Sequence, residues 1–158
     1  MNRLTMLDDA IAATTSRVVS ARPDWPCRRG CDHCCRNLAS PMPISQPEWS
    51  RLARHLGQLD DRARSAFDAR IDDPRVCPLL DRETGACTAY DARPIACRAY
   101  GFYAGREGGT WCAAVEELPG LSEVIVGNHD ALERSLGPLG ETRTLAEWWR
   151  AGLASTSR

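Results

Sequence analysis

Four cysteines within nine residues place the strongest constraint on how this chain can fold. They are Cys27, Cys31, Cys34 and Cys35. Four neighbouring thiols make poor core material and oxidise readily when they are simply exposed, so their clustering favours a shared inorganic ligand. Metal binding or redox chemistry is therefore the first hypothesis for this segment.

This nine-residue segment can bring its thiols together in two ways. As a helix beginning at Pro26, it places cysteines at i, i+4, i+7 and i+8 on one face. Gly30 weakens a helix by about 1 kcal/mol, so a turn resembling a zinc knuckle is the alternative. In either form, Arg28, Arg29 and Arg36 supply positive charge that offsets the negative charge of several thiolates.

Four further cysteines follow later in the chain, and each lies close to a residue that favours a turn or the start of a helix. Cys77 precedes Pro78, and the others follow glycine or proline at short distances. Rigid local backbone beside a ligand lowers the entropy cost of assembling a site. All eight cysteines are therefore candidate metal ligands: Cys27, Cys31, Cys34, Cys35, Cys77, Cys87, Cys97 and Cys112.

Composition and charge indicate where such a protein works and exclude several function classes. Asp8 and Asp9 interrupt any apolar signal-peptide core, and no stretch is long and apolar enough for a membrane span. We therefore expect a cytoplasmic protein whose thiols stay reduced. The net charge of −1 argues against nucleic-acid or membrane-surface partners. All 20 basic residues are arginine, which excludes lysine-dependent chemistry.

Apolar periodicity predicts helices before, between and after the cysteine groups. Leu4, Leu7, Ile11 and Val18 recur at helical spacing over residues 3–20. Ser45 and Glu48 form a capping box that opens a helix ending near Gly57. Further helices are predicted over 61–71, over a short segment that begins with Pro94 in its first turn and ends at Gly101, from Asn128 to Leu136, and from Thr144 through Trp148, Trp149 and Leu153.

A short β-hairpin is predicted over residues 76–90, with its turn at 81–85 and Gly85 in a left-handed conformation. The whole chain, 1–158, is predicted to be a single α+β domain that is mainly helical, a small metal-stabilised unit with a short hairpin and flanking helices. Its predicted parts are a metal-binding core over 27–112 with a helical insertion at 45–72, and flanking helices over 1–22 and 121–158.

The spacing of the thiols favours an iron–sulfur cluster or another iron centre over zinc. Structural zinc sites often use paired CxxC motifs, whereas this chain has a single CxxC, from Cys31 to Cys34. Adjacent Cys34 and Cys35 cannot easily share one tetrahedral ion, so we expect them to serve different metals or different corners of a cluster. Iron–sulfur clusters accept varied cysteine spacing. Zinc remains the alternative, and His33, His55 and His129 are candidate auxiliary ligands.

The ordered motifs resemble the YkgJ-type cysteine cluster proteins, a family associated with zinc or iron chelation. The resemblance is carried by Cys27-x3-Cys31-x2-Cys34-Cys35, Cys77-Pro-Leu-Leu, Gly85-Ala-Cys-Thr-Ala-Tyr90 and Arg93-Pro-Ile-Ala-Cys-Arg98, over roughly 27–112. It implies a metal centre ligated by these cysteines and kinship with flagellin lysine N-methylases, which look like iron–sulfur proteins. This chain is shorter and has no glycine-rich SAM-binding loop, so the resemblance does not carry methylase activity over.

Three functions follow as hypotheses from different classes. The first is a metal-binding protein with an iron–sulfur cluster in a redox or accessory role. The second is a structural zinc domain that binds a protein partner, with Trp148 or Trp149 as an exposed anchor. The third is a metal-dependent modifying enzyme for group transfer or oxidation, in which Cys112 is an exchangeable thiol. Arg93, held extended before Pro94, is expected to pair with a thiolate or with Asp91.

Overall fold

The computed structural model describes residues 2–156, and the side chains of all of these except 138 and 153–156. Among them, helices dominate and strands are short, which confirms the expected mainly helical α+β class. The side chain of Leu153, a predicted member of the last helix, lies outside the described residues, as do residues 1, 157 and 158 of the predicted flanking segments. The helices are α1 (Arg3–Ala21), α2 (His33–Arg36), α3 (Gln46–Leu56), α4 (Asp61–Asp68), α5 (Ile95–Ala99), α6 (Ala113–Glu116), α7 (His129–Leu136) and α8 (Leu145–Thr156).

Local capping signals explain where most of these helices begin. The Asn2 side chain accepts the backbone N–H of Thr5 and starts α1. Ser45 and Glu48 form the predicted capping box of α3, and Asn128 caps α7 as predicted. Helix α4 ends at Asp68, three residues before the predicted end at Ile71, because the chain continues there in turns.

Two small sheets tie distant parts of the chain together. Strand β1 (Pro43–Ser45) pairs antiparallel with β4 (Thr142–Thr144), with Ile44 opposite Arg143. Strand β2 (Tyr103–Ala104) pairs parallel with β3 (Gly127–Asn128). The first pairing joins segments that precede α3 and α8, and the second joins segments that precede α6 and α7. Neither was predicted, because no local turn connects the strands.

The hairpin predicted over 76–90 is mostly a set of turns. Leu80 and Cys87 form a single isolated antiparallel bridge, and Asp81 N–H donates to Ala86 at 2.9 Å. Gly85 does adopt the predicted left-handed conformation, with φ of +70°. The pairing stays this short because Pro78 has no N–H to donate and the chain turns at both ends of the bridge.

Two apolar cores lie side by side in the molecule. The first core is built on Ile11 and Val18 of α1, Trp25, Ile95 of α5 and Val115 of α6. The second core is built on α3, α4, the segment around Leu79 and α8, and its buried members include Leu52, Leu56, Phe67, Leu79, Trp148 and Trp149. Cysteines belong to both cores.

Helix α8 closes the second core with both of its tryptophans. Trp148 and Trp149 are each 8% exposed, so the expectation of one exposed anchor is wrong. Trp148 donates its indole N–H to the Ile44 carbonyl at 2.8 Å, and Trp149 donates to the Asp68 carboxylate at 2.6 Å. Adjacent positions on the helix both find hydrogen-bond partners because β1 and α4 approach it from two sides.

Asp8 connects three helices through arginine. Arg51 of α3 donates to the Asp8 carboxylate at 2.5 Å, and Arg98 of α5 donates to its other oxygen. Arg51 also reaches the Arg93 carbonyl at 2.8 Å, just before α5. All three charged groups are largely shielded from solvent, and they fix α5 against α1 and α3. Among residues 2–156, no helix has both the length and the apolar character that crossing a membrane requires.

Candidate metal centre

The eight cysteines come from separate segments; five of them line one cavity, and five belong to or pack against the two apolar cores. All eight thiols are free, with Cys77 and Cys112 buried and the other six partly buried. Cys112 belongs to the first core and Cys27 packs against it, whereas Cys77 belongs to the second core. A set of reduced, shielded sulfur atoms from distant parts of the chain is typical of a metal site.

The first cysteine segment is a series of turns followed by the short helix α2. Gly30 has φ of +90°, a left-handed conformation that ends any helix begun at Pro26. Cys31 N–H donates to the Arg28 carbonyl at 3.0 Å in a tight turn. The single-helix prediction for this segment is therefore wrong, and its turn alternative is correct. Helix α2 places both Cys34 and Cys35 at its centre.

A backbone hydrogen bond joins the first cysteine segment to the second. Cys77 N–H donates to the Cys35 carbonyl at 2.8 Å, and Leu38 N–H donates to the Arg75 carbonyl at 2.8 Å. These two bonds hold the chain after α2 alongside the chain before Cys77. Cys87 is then returned toward Cys77 by the bridge between Leu80 and Cys87.

Helix α5 presents Cys97 from a first turn that is anchored on a buried carboxylate. Glu48, only 3% exposed, accepts the backbone N–H of Ile95 at 2.7 Å. Pro94 precedes the helix as its N-cap rather than occupying the first helical position that was predicted. The Cys97 thiol lies 3.4 Å from the thioether sulfur of Met42.

Gly101 makes the close approach of Cys27 and Cys112 feasible. Its φ is +75°, and a Cβ atom at this position would lie 2.4 Å from Cys27 Sγ and 3.6 Å from Cys112 Cβ. The neighbouring Trp111 also has positive φ, 55°, which is unusual for a bulky side chain. Tyr100 donates its hydroxyl to the Trp111 carbonyl, and Glu116 accepts the Trp111 N–H at 3.0 Å, so this turn is held on both sides.

Burial and neighbouring thiols raise the pKa of several of these cysteines. Burial raises the pKa of Cys27, and the thiols of Cys112, Cys31 and Cys34 raise it further. Burial likewise raises the pKa of Cys87 and, well above its ordinary value, that of Cys97. A metal that binds here must therefore displace protons from the thiols.

One hydrogen bond between Cys34 and Cys35 acts on the pKa of the two thiols in opposite directions. The hydrogen bond with Cys35, followed by burial, raises the pKa of the Cys34 thiol. The same hydrogen bond lowers the pKa of Cys35, but its hydrogen bond with Cys77, burial and the charges of Cys77 and Cys87 outweigh that effect and bring it to about 12. Cys35 is therefore electrostatically linked to the cysteines of the second core.

Two arginines and a tyrosine border the thiols. The guanidinium of Arg93 lies 3.6 Å from the centre of the Tyr90 ring, and that of Arg29 lies 4.0 Å from it. Asp91 pairs with Arg29 at 2.9 Å, so the predicted pairing of Arg93 with Asp91 is wrong. The charge of Arg93 nevertheless partly offsets the raised pKa of the Cys34, Cys87 and Cys97 thiols.

The three histidines occupy different surroundings. His33 lines the cavity beside the thiols, whereas the His55 ring contacts the Thr88 carbonyl at 2.7 Å. His129 packs edge-on against Trp111, and its ring lies with Asp130 and Glu133 so that one ligand atom of each is within 4.8 Å of the others. In the part of the chain that the structure describes, that group is separate from the cysteines, and no three thiols approach one another as closely.

A cavity of about 550 Å³ opens beside the thiols. Helix α1 forms one wall with small and apolar side chains, including Ile11, Ala12 and Ser16. Among the described residues, its charged lining consists of arginines and contains no carboxylate. Five thiols and four arginines line it: Cys27, Cys31, Cys34, Cys97, Cys112, Arg28, Arg29, Arg93 and Arg98.

Sequence reasoning missed several residues that shape this site. Glu48 was assigned only to a helix cap, and Gly101 only to the end of a helix. Met42 was not singled out, and Tyr90 was named only as the last residue of a motif. The signal for Gly101 was its place four residues after Cys97, but the segment it must approach is distant in sequence, so no local pattern reveals the contact.

Buried soft donors, a glycine that admits two cysteines and flanking arginines together define a cysteine-rich metal-binding domain. Residues 26–116 match the family described as "CxxCxxCC: Putative zinc- or iron-chelating domain". This match covers more than half of the chain, and the protein belongs to that family. No curated protein and no solved structure matches the chain.

Proposed function

We propose that the protein holds an iron–sulfur centre through its clustered cysteines and serves in electron transfer or in an accessory role to other iron–sulfur proteins. The observation that carries this proposal is the cavity of about 550 Å³ bordered by five thiols. A structural zinc ion sits in a closed site with sulfur ligands about 2.3 Å away and needs no such space. A polynuclear cluster held by cysteine thiolates does need it.

Two buried polar atoms on residues close to cysteines in the sequence are consistent with a sulfide-containing group. The indole N–H of Trp25 and the hydroxyl of Thr110 are buried without a hydrogen-bond partner among the described residues. Each lies two residues before a cysteine, Cys27 and Cys112 respectively. Buried donors of this kind normally find acceptors, and the sulfur atoms of a cluster accept hydrogen bonds that tune its potential.

The charges around the site fit the same group. Several thiolates around an iron–sulfur core carry net negative charge, and Arg29 and Arg93 lie beside them on the Tyr90 ring. When bound, the cluster would supply one-electron chemistry. The chain supplies the thiolates, the compensating cations and the shielding from water. Eight free thiols also fit a reducing compartment such as the cytoplasm.

Anaerobic purification tests this proposal, because exposure to oxygen destroys many clusters. The purified protein should be coloured, and iron and acid-labile sulfide should be present in equal amounts. Reduction with dithionite should change its visible spectrum. A colourless protein that contains no iron and is fully loaded with zinc would show that the alternative, a structural zinc domain, is correct.

A further inference from the structure

We propose that the eight cysteines form two separate metal centres of four thiolates each, which deepens the proposed function and rests on it. The first centre consists of Cys27, Cys31, Cys34 and Cys112. The second consists of Cys35, Cys77, Cys87 and Cys97. The family description does not state how many metals the domain holds or how its thiols are shared between them.

Packing divides five of the eight cysteines between the same two sets. Cys112 is buried in the first core, and Cys27 packs against that core. Cys77 is buried in the second core, and Cys35 and Cys87 pack against it. The two cores are built from different helices, so these five thiols are held in two different surroundings.

Cavity lining assigns the other three cysteines. Cys31 and Cys34 line the larger cavity together with Cys27 and Cys112 of the first set. Cys97 lines both cavities and shares the smaller one with Cys77 of the second set, which it completes.

Helix α2 explains how adjacent cysteines can serve different centres. Consecutive residues on a helix point about 100° apart, so Cys34 and Cys35 leave α2 in different directions. Cys34 lines the cavity together with Cys27, Cys31 and Cys112. Cys35 accepts the N–H of Cys77 at its own carbonyl, which holds it in the second set. Cys34 and Cys35 are thus the neighbouring residues at which the chain passes from the first centre to the second.

The two centres lie in different environments. The first faces the cavity of about 550 Å³ with its arginines. The second lies against a smaller cavity of about 190 Å³ with a mainly apolar lining that includes Met42, Leu79 and Cys97. Cys97 lines both cavities, so it lies at the boundary of the two sets. The first centre is therefore expected to lose metal to a soluble chelator before the second.

Native mass spectrometry and metal analysis of anaerobically prepared full-length protein test this division. The variants are Cys112→Ser and Cys77→Ser, which are matched because each replaces a buried thiol, 1% and 9% exposed respectively. Each variant should retain about half of the wild-type metal, and the double variant should retain none. This expectation applies to iron–sulfur clusters and to zinc alike.

The outcomes separate this proposal from the function on which it rests. Loss of all metal from either single variant that keeps its native circular dichroism would overturn the division into two centres. If the variants do not fold, titration of the wild type with a chelator decides. A species that retains half of the metal supports two centres, whereas loss of all metal in one step overturns them. Wild-type protein that binds no metal would refute the proposed function itself.

Discussion

The carboxylate of Glu48 accepts the backbone N–H of Ile95 at 2.7 Å and so connects the start of α3 to the start of the helix that carries Cys97. The same carboxylate accepts the N–H of Ser45 at 2.9 Å and the Ser45 hydroxyl. One buried side chain therefore caps one helix and positions a metal-ligand candidate on another.

Replacing this carboxylate should weaken the fold and the metal site together. Glu48→Gln leaves a single acceptor oxygen for several donors and buries an amide beside them, so we expect a loss of about 2 kcal/mol in the free energy of unfolding. Urea denaturation measures this loss. Glu147→Gln is the matched control, because Glu147 accepts the N–H of Thr144 at 2.7 Å in a similar box on the surface. Equal losses in the two variants would contradict the role of burial.

Gly101 offers a test of the close contact between Cys27 and Cys112. Gly101→Ala places a Cβ atom 2.4 Å from Cys27 Sγ and also strains a backbone with φ of +75°. The strain alone costs about 1–2 kcal/mol. We expect Gly101→Ala to lose more thermal stability than this strain explains and to bind less metal. Calorimetry measures the stability, and elemental analysis measures the metal content.

Gly108→Ala separates strain from contact in this test. Gly108 has φ of +89°, but a Cβ atom there would meet nothing within 4 Å. It should therefore show the cost of strain and keep its metal. If Gly108→Ala loses as much metal as Gly101→Ala, the close approach of Cys27 and Cys112 is not the reason that position 101 requires glycine.

Arg93 should make neighbouring thiols more reactive in the metal-free protein. Its charge opposes the rise in the pKa of Cys34, Cys87 and Cys97, so Arg93→Gln should raise the pKa of these thiols further. A lower thiolate fraction means slower alkylation, by roughly 2- to 10-fold. Peptide mass spectrometry after timed treatment with iodoacetamide measures the rate at each cysteine. Arg62→Gln, an exposed arginine on α4, should change none of these rates.

The metal-free protein should lose stability at alkaline pH. The folded state raises the pKa of Cys35 from 9.0 to about 12, so the unfolded chain releases this proton first as pH increases. The contribution of this raised pKa to the free energy of unfolding is therefore complete below pH 9.0. It decreases as the pH rises from 9.0 toward about 12. Urea titrations at increasing pH should show this decline.

Metal loading should reverse the protonation of the thiols. Metal binding at neutral pH releases the thiol protons, so metal affinity should increase with pH and a weakly buffered indicator should record the release. If the affinity does not depend on pH, the thiols are already ionised in the metal-free fold.

The helices with local signals could be predicted from the sequence, whereas the contacts between them could not. Apolar periodicity and capping side chains defined α1, α3, α7 and α8 because those forces act within a few residues. The segment around Gly30 was ambiguous, since its cysteine spacing suits a helix and its glycine suits a turn. The structure resolves this in favour of the turn, with φ of +90° at Gly30.

The candidate ligands were predictable, but what surrounds them was not. Clustered cysteines identified the site by composition and spacing alone. The contact of Glu48 with Ile95, by contrast, joins residues 47 apart in sequence. The burial of both Trp148 and Trp149 likewise depends on Ile44 and Asp68, which no local pattern connects to α8. These features follow from tertiary packing, to which a single sequence gives little access.

The stretch shared with the family, residues 26–116, contains only part of each apolar core. Ile11 and Val18 complete one core from before it, and Trp148 and Trp149 complete the other from after it. An excised fragment would leave both of its apolar faces open to water. The two ends of the chain thus cover the apolar faces of the metal-binding unit. Relatives with different ends must cover these faces with other segments.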